Sequence, residues 1–139
     1  MRKTKAFSLM EMILVVVIIG LLAALVLPRF VGWGEKARKA AAASQVSSFK
    51  TALGSFERAC GRFPTSAEGL RALIERPAGL PETAEWERFL DEQNVPKDPW
   101  QNDYIYRCPG TVNTDDYDLL SAGPDGREGT DDDIGNTRK

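Results

Sequence analysis

The chain has 139 residues, the size of one small domain, with 18 basic and 20 acidic residues and a formal net charge of -2. That balance excludes the global basic excess that draws nucleic acid, and the absence of histidine removes the commonest general base and metal ligand. Two cysteines, Cys60 and Cys108, are too few and too far apart for a zinc cluster.

The distribution of residues says more than their totals. Apolar residues crowd the N-terminal end, while Gly, Pro, Asp and Asn crowd the C-terminal half. From Phe7 to Leu27 the chain reads FSLMEMILVVVIIGLLAALVL. As a helix rising about 1.5 Å per residue, this run is long enough for a hydrocarbon core of roughly 30 Å. Arg2, Lys3 and Lys5 stand immediately before it and predict that this end stays in the cytoplasm, with the bulk of the chain across the membrane. A secretory signal peptide fits poorly, because the run exceeds an h-region and Pro28-Arg29-Phe30 closes it with no small-x-small cleavage site. Inside the run sits Glu11. An ionisable group there costs roughly 2.5–3.5 kcal/mol on insertion scales, which predicts either a partner or snorkelling to the cytoplasmic interface.

Pro28, Gly32 and Gly34 predict a local loosening or melting of the helix. From Glu35 the Ala-rich EKARKAAAASQ restores high helix propensity, with Lys36, Arg38 and Lys39 as a second basic group. Val46, Phe49, Leu53 and Phe56 then recur at spacings of three and four, giving one apolar stripe for packing. Gly61 and Pro64 predict its end. Next, Phe63-Pro64-Thr65 with Glu68-Gly69-Leu70 and Leu73 reads as a tight turn and a short helix, with Thr65 or Ser66 as N-cap. Val95-Pro96-Lys97-Asp98-Pro99-Trp100-Gln101-Asn102 reads as a rigid loop that buries Trp100. Tyr104 to Arg107 and Tyr117 to Ser121 have strand composition, with turn residues Pro109-Gly110 and Asn113 between them, so a short antiparallel sheet laid on the helix is expected.

The C-terminal segment Ser121-Ala122-Gly123-Pro124-Asp125-Gly126-Arg127-Glu128-Gly129-Thr130-Asp131-Asp132-Asp133-Ile134 carries the remaining chemistry. Three consecutive aspartates repel one another, and Asp125 lies upstream on the same Gly-rich loop. With hard oxygen donors and no His or Cys in the loop, calcium is the metal such a set would favour. The spacing is not that of an EF-hand. On composition alone, a calcium loop and a solvated acidic turn are both open readings.

Three of these segments and the acidic loop carry a family resemblance. Lys5-Ala6-Phe7-Ser8-Leu9-Met10-Glu11 and the apolar run after it resemble the class III signal of type IV prepilins and pseudopilins. The resemblance implies cleavage by a prepilin peptidase between Ala6 and Phe7, N-methylation of Phe7, and an assembly role for Glu11. Loss of Arg2, Lys3 and Lys5 would make the mature chain three charges more negative. Glu11 on one subunit would then pair with the Phe7 ammonium of its neighbour, and breaking such a buried pair typically costs about 3–5 kcal/mol. Ala6 stands where the family usually has Gly.

The Pro-Thr and Pro-Lys-Asp-Pro-Trp stretches, with Tyr104-Ile105-Tyr106, resemble the major pseudopilins of type II secretion, Gln101 replacing a usual Gly. The acidic loop resembles their calcium loop. That implies carboxylates from Asp125, Asp132 and Asp133, carbonyls from Ala122 and Arg127, and Thr130 filling the set, with Asp131 a solvated neighbour.

The fold implied is α+β and type IV pilin-like, a long N-terminal transmembrane and amphipathic helix packed on a small C-terminal antiparallel β-sheet with a calcium-binding loop. Residues 1–6 would be leader, 7–30 the transmembrane and assembly segment, and 31–139 the periplasmic domain. The function implied is that of the major subunit of a periplasmic pseudopilus that helps export folded proteins across the outer membrane. Its partners would be copies of itself, minor pseudopilins, the prepilin peptidase, an inner-membrane assembly platform and, before assembly, membrane lipid, with Ca2+ bound and no nucleic acid. Two rivals are a subunit of another pilin-like filament, for adhesion or DNA uptake, and a membrane-tethered calcium-binding module. An enzyme is disfavoured, since there is no His and no Ser or Cys has a visible base.

Cys60 closes the helix and Cys108 follows the first expected strand, so an exported domain could bond them, and the closed loop would contribute about 3–4 kcal/mol on the chain-entropy model. Two small buried thiols are the equal alternative.

Overall fold

The computed structural model describes residues 8–137, without the side chains of residues 25–32. The expected cleavage junction, Ala6 and Phe7, lies outside the described residues. Element order is helix, short 3-10 helix, then three strands. The chain divides between Ala37 and Arg38 into two units.

Helix α1 is a single element, Leu9–Cys60, of 52 residues. The loosening expected at Pro28, Gly32 and Gly34 does not occur, because the backbone stays helical through all three. An interior proline costs about 3 kcal/mol and each glycine about 1 kcal/mol, and the apolar run before them and the Ala-rich continuation after them carry the helix through. In the first unit every described side chain from Ser8 to Ala24 is exposed. Leu9 is 79% and Val16 68% accessible, with Ile19 and Leu22 close behind, so the helix is apolar on all its faces. Among the described residues no helix is long and apolar enough to cross a membrane, and the Phe7–Leu27 run extends past the described side chains at both ends.

In the second unit the predicted stripe is the core. Val46, Phe49, Leu53 and Phe56 are buried, together with Leu70, Leu73, Tyr104, Tyr117 and Leu119. Aromatic rings meet edge-on within it: Phe49 with Tyr104 at 5.0 Å between centroids, and Phe63 with Tyr117 at 4.9 Å. The helix stops at Cys60 because Gly61 takes φ +74 while its N–H donates to the Glu57 carbonyl, an αL termination that favours glycine.

A turn follows in which Thr65 and Glu68 bond reciprocally. The Glu68 N–H donates to Thr65 Oγ1 at 3.3 Å and the Thr65 N–H to Glu68 Oε2 at 2.7 Å, the pattern of a capping box. Arg62 adds a bidentate ion pair to the same carboxylate, and this guanidinium beside Glu68 holds its pKa down at about 2. The 3-10 helix, Gly69–Leu73, starts one turn later than the N-cap expectation.

The sheet is antiparallel with order β1-β2-β3: β1 Ile105–Arg107, β2 Asp118–Ser121 and β3 Ile134–Gly135. Ile105 pairs with Leu120, and Leu120 in turn with Gly135. The third strand was not foreseen, being two residues long and directly behind the aspartates. Gly135 is needed there, since a Cβ would collide with the Leu119 carbonyl and Leu120. Asn136 completes the sheet edge. Its Oδ1 accepts from the Leu119 N–H at 2.7 Å and its Nδ2 donates to the Tyr117 carbonyl at 2.6 Å.

Candidate functional site

The acidic loop leaves β2 at Ser121 and returns at Ile134, so the sheet fixes both of its ends. Inside it, Thr130 is the hub. Its hydroxyl donates to Asp132 Oδ1 at 2.6 Å and also lies 3.1 Å from the Arg127 carbonyl. Asp132 Oδ2 faces the Asp125 N–H at 3.4 Å, and Asp125 Oδ1 accepts from the Arg127 N–H at 2.8 Å. Asp133 Oδ2 accepts from the Gly129 N–H at 2.7 Å. The structure therefore gathers Asp125, Arg127, Thr130, Asp132 and Asp133 into one turn, with Asp131 exposed beside it. The Thr130 bond, with Lys39 adding a weaker attraction, holds the Asp132 carboxyl below the ordinary aspartate range.

Gly123 is the pinch point of this loop. It sits at φ +63, and a Cβ would lie 2.6 Å from the Asp132 carbonyl oxygen and 2.7 Å from Oδ2. From outside, Arg107 on β1 clasps Glu128 through both guanidinium nitrogens. A cavity of about 260 Å³ opens between Val112, Glu128–Asp131, Asp133 and Thr137.

Two observations bear on whether a cation suits the loop. Among the described residues no three His, Cys, Asp or Glu side chains draw close enough to form a metal cluster by themselves. Asp133 Oδ1, however, is buried with no hydrogen-bond partner, an unsatisfied anionic oxygen of the kind that normally requires one. The donors nearby are all oxygens, carboxylate, hydroxyl and carbonyl, which is the chemistry of a hard cation mixing side-chain and backbone ligands.

Two buried carboxylates support the site, and sequence reading gave neither a role. Asp98 is 1% exposed. Its Oδ1 accepts from the N–H groups of Trp100 and Asn102, and its Oδ2 from the Ser121 hydroxyl at 2.6 Å. Asp118, fully buried on β2, accepts from the N–H groups of Thr111, Val112 and Asn113, from the Thr111 hydroxyl and from the Asn113 side-chain amide. Burial by itself would raise the Asp118 pKa, but these donors outweigh it and the carboxyl ends well below the ordinary range. The available signals were an Asp-Pro-Trp turn able to bond its own backbone and a charge inside an otherwise apolar strand.

Cys60 and Cys108 are free thiols, both partly buried and packed against the core. Burial pushes the Cys60 thiol up. Glu11 lies in the first turn of α1, where a carboxylate favours the helix dipole.

An apolar helix continued into an amphipathic half, with a small antiparallel sheet and a clasped acidic loop over the core, defines a pilin-like subunit. The family model for the type II secretion system (T2SS), protein G, matches residues 29–137, and the chain belongs to that family. The type II secretion system core protein G of Escherichia coli (strain K12) is 42% identical over 134 residues, covering 96% of this chain and 91% of that protein. The protein of the same name from Vibrio cholerae serotype O1 is 40% identical over 137 residues, covering 98% and 93%. The crystal structure of the major pseudopilin from enterohaemorrhagic Escherichia coli aligns with a TM-score of 0.63 and 34% identity, covering 76% of this chain and 87% of that one. The family is one of structural pseudopilins, and the function of this chain is that of a major pseudopilin in type II secretion.

Proposed function

We propose that this chain is held in the inner membrane by its Phe7–Leu27 run, loses residues 1–6 to a prepilin peptidase, is methylated on Phe7, and is then stacked into a periplasmic pseudopilus. The observation that carries this reading is the apolar surface on every face of the helix from Leu9 to Leu22. A helix apolar all round is stable only where lipid or other helices cover it, and covering apolar surface contributes roughly 25 cal/mol per Å². Lipid supplies that cover before assembly and neighbouring copies supply it afterwards. Minor pseudopilins and an inner-membrane platform complete the assembly, whose growth helps move folded proteins across the outer membrane.

Glu11 gives the stack its register by pairing with the Phe7 ammonium of the next subunit. Glu11→Ala is expected to leave membrane insertion unchanged while filaments fail to form and exported protein stays in the periplasm. Pelleting of sheared filaments and assay of released protein read this directly. Normal filaments from Glu11→Ala would reduce the carboxylate to an interfacial group.

Calcium is the cation proposed for the acidic loop, held by Asp125, Asp132 and Asp133 with Thr130 and the Ala122 and Arg127 carbonyls. When bound, the ion neutralises the mutual repulsion of the aspartates and cross-links the loop. A ligand present at a hundred times its Kd stabilises by about 2.7 kcal/mol, which corresponds to a Tm rise of about 10 °C in a domain of this size. Asp132→Ala is expected to abolish that rise. A wild-type chain indifferent to calcium would withdraw the ion and leave the family assignment intact.

A further inference from the structure

We infer that Asp98 and Ser121 are positioning residues for the acidic loop, acting through one peptide plane to aim the Ala122 carbonyl; this rests on the calcium reading above. The Ala122 carbonyl and the Gly123 N–H belong to the same trans peptide and point in opposite directions. Whatever holds the Gly123 N–H therefore sets the direction of the Ala122 oxygen.

That hold is a buried relay. The Gly123 N–H donates to Ser121 Oγ at 3.2 Å, and the Ser121 hydroxyl donates in turn to Asp98 Oδ2 at 2.6 Å. Asp98 and Ser121 are 1% and 0% exposed, so no water competes for these bonds. The other Asp98 oxygen is fixed by the N–H groups of Trp100 at 3.0 Å and Asn102 at 2.8 Å, which ties the relay to the Pro96–Asn102 loop. Asn102 reaches the far side of the same residue, its Nδ2 donating to the Gly123 carbonyl at 3.4 Å. Gly123 is thus gripped at both its N–H and its carbonyl, in a left-handed conformation with Asp132 packed where its side chain would be. The Ala122 oxygen itself is left over. Among the described residues none of the turn and loop backbone bonds ends on it. Ala122 as a residue is 4% exposed, and its backbone oxygen is the kind of ligand a hard cation in the loop would use.

Accepting the Ser121 hydroxyl gives the buried carboxyl group of the Pro-Lys-Asp-Pro-Trp loop a part in the acidic loop. The bond to Asp98 Oδ2 turns the Ser121 proton toward Asp98 and leaves the serine lone pairs for the Gly123 N–H, an outer-sphere arrangement of the kind that orients metal ligands.

The test uses the full chain in detergent micelles, with Ca2+ affinity from titration calorimetry and Tb3+ as a luminescent substitute. Ser121→Ala removes the hydroxyl with little change in volume. It is expected to weaken Ca2+ binding by about 10–100-fold, and the bound Tb3+ should show an additional coordinated water by its lifetimes in H2O and D2O. A purely structural serine would lower the calcium-free Tm without changing Tb3+ hydration. A folded Ser121→Ala chain with wild-type affinity and hydration overturns the inference. Should Ser121→Ala not fold, Asp98→Asn, which keeps the shape of the relay, is read in the same two assays, and wild-type values there overturn it equally. A wild-type chain that binds neither ion brings down the calcium reading and the positioning role with it, whereas wild-type binding with unaltered variants removes only the latter.

Discussion

Phe49→Ala is expected to destabilise the C-terminal unit by about 3–5 kcal/mol, the range for deleting a buried aromatic ring and leaving a cavity. Phe49 is fully buried on the α1 stripe and meets Tyr104 edge-on at an interplanar angle of 74°. Its ring therefore holds the helix to the segment leading into β1. Few alternatives exist for filling the gap, because the neighbours Leu53, Phe56 and Leu119 are themselves at 0% exposure and tightly placed. Native domains keep only about 5–15 kcal/mol in total, so the variant loses a large share of its margin. Urea unfolding followed by tryptophan fluorescence in micelles measures it, with the midpoint falling and the slope unchanged. A loss below 1 kcal/mol would mean that Phe49 is not in the core as described.

Asp118→Asn is expected to cost about 3 kcal/mol at neutral pH, since hydrogen bonds to a charged group contribute about 1.5–3 kcal/mol each and the new amide would face N–H donors with its own. The carboxylate gathers the turn from Thr111 to Asn113 onto β2, so both the turn and the strand lose their tie. The pH dependence has a definite sign. The folded pKa lies below the unfolded one, so the Asp118 contribution is fully present above about pH 4 and is lost as pH falls toward the folded value. Wild-type stability should drop from pH 4 to pH 2 more steeply than that of Asp118→Asn. Urea midpoints at pH 7, 4 and 3 distinguish the two curves, and parallel curves would show that Asp118 carries no such linkage.

Periodicity made the helix stripe legible, and all four of its residues are core. The strands were legible from composition to within a residue at Tyr104 and Tyr117. What failed was local strength. Pro28 predicts a local loosening worth about 3 kcal/mol, yet the backbone stays helical there. β3 escaped because two residues give no alternation to read, and its existence depends on Leu119 and Leu120 far back in the chain. In the acidic loop the aspartates proposed as ligands come from the resemblance. The relay behind them could not be read in the sequence, because Asp98 and Ser121 are 23 residues apart and meet only after the sheet has formed. Gln101 is instructive in the same way. It takes φ +72, the left-handed conformation that the glycine of the resembled motif would adopt with less strain.

The core also has a direction in time. Every core residue outside α1 that packs with Val46, Phe49, Leu53 and Phe56, from Phe63 to Leu119, is synthesised after them, and the β3 strand that closes the sheet comes later still. During elongation the amphipathic half of α1 emerges with its apolar stripe bare, and no shorter nascent chain can shield it. Covering of the stripe is therefore delayed until Leu119 has been delivered to the compartment where the domain folds, and a chain halted before that point presents an adhesive helix to whatever it meets first.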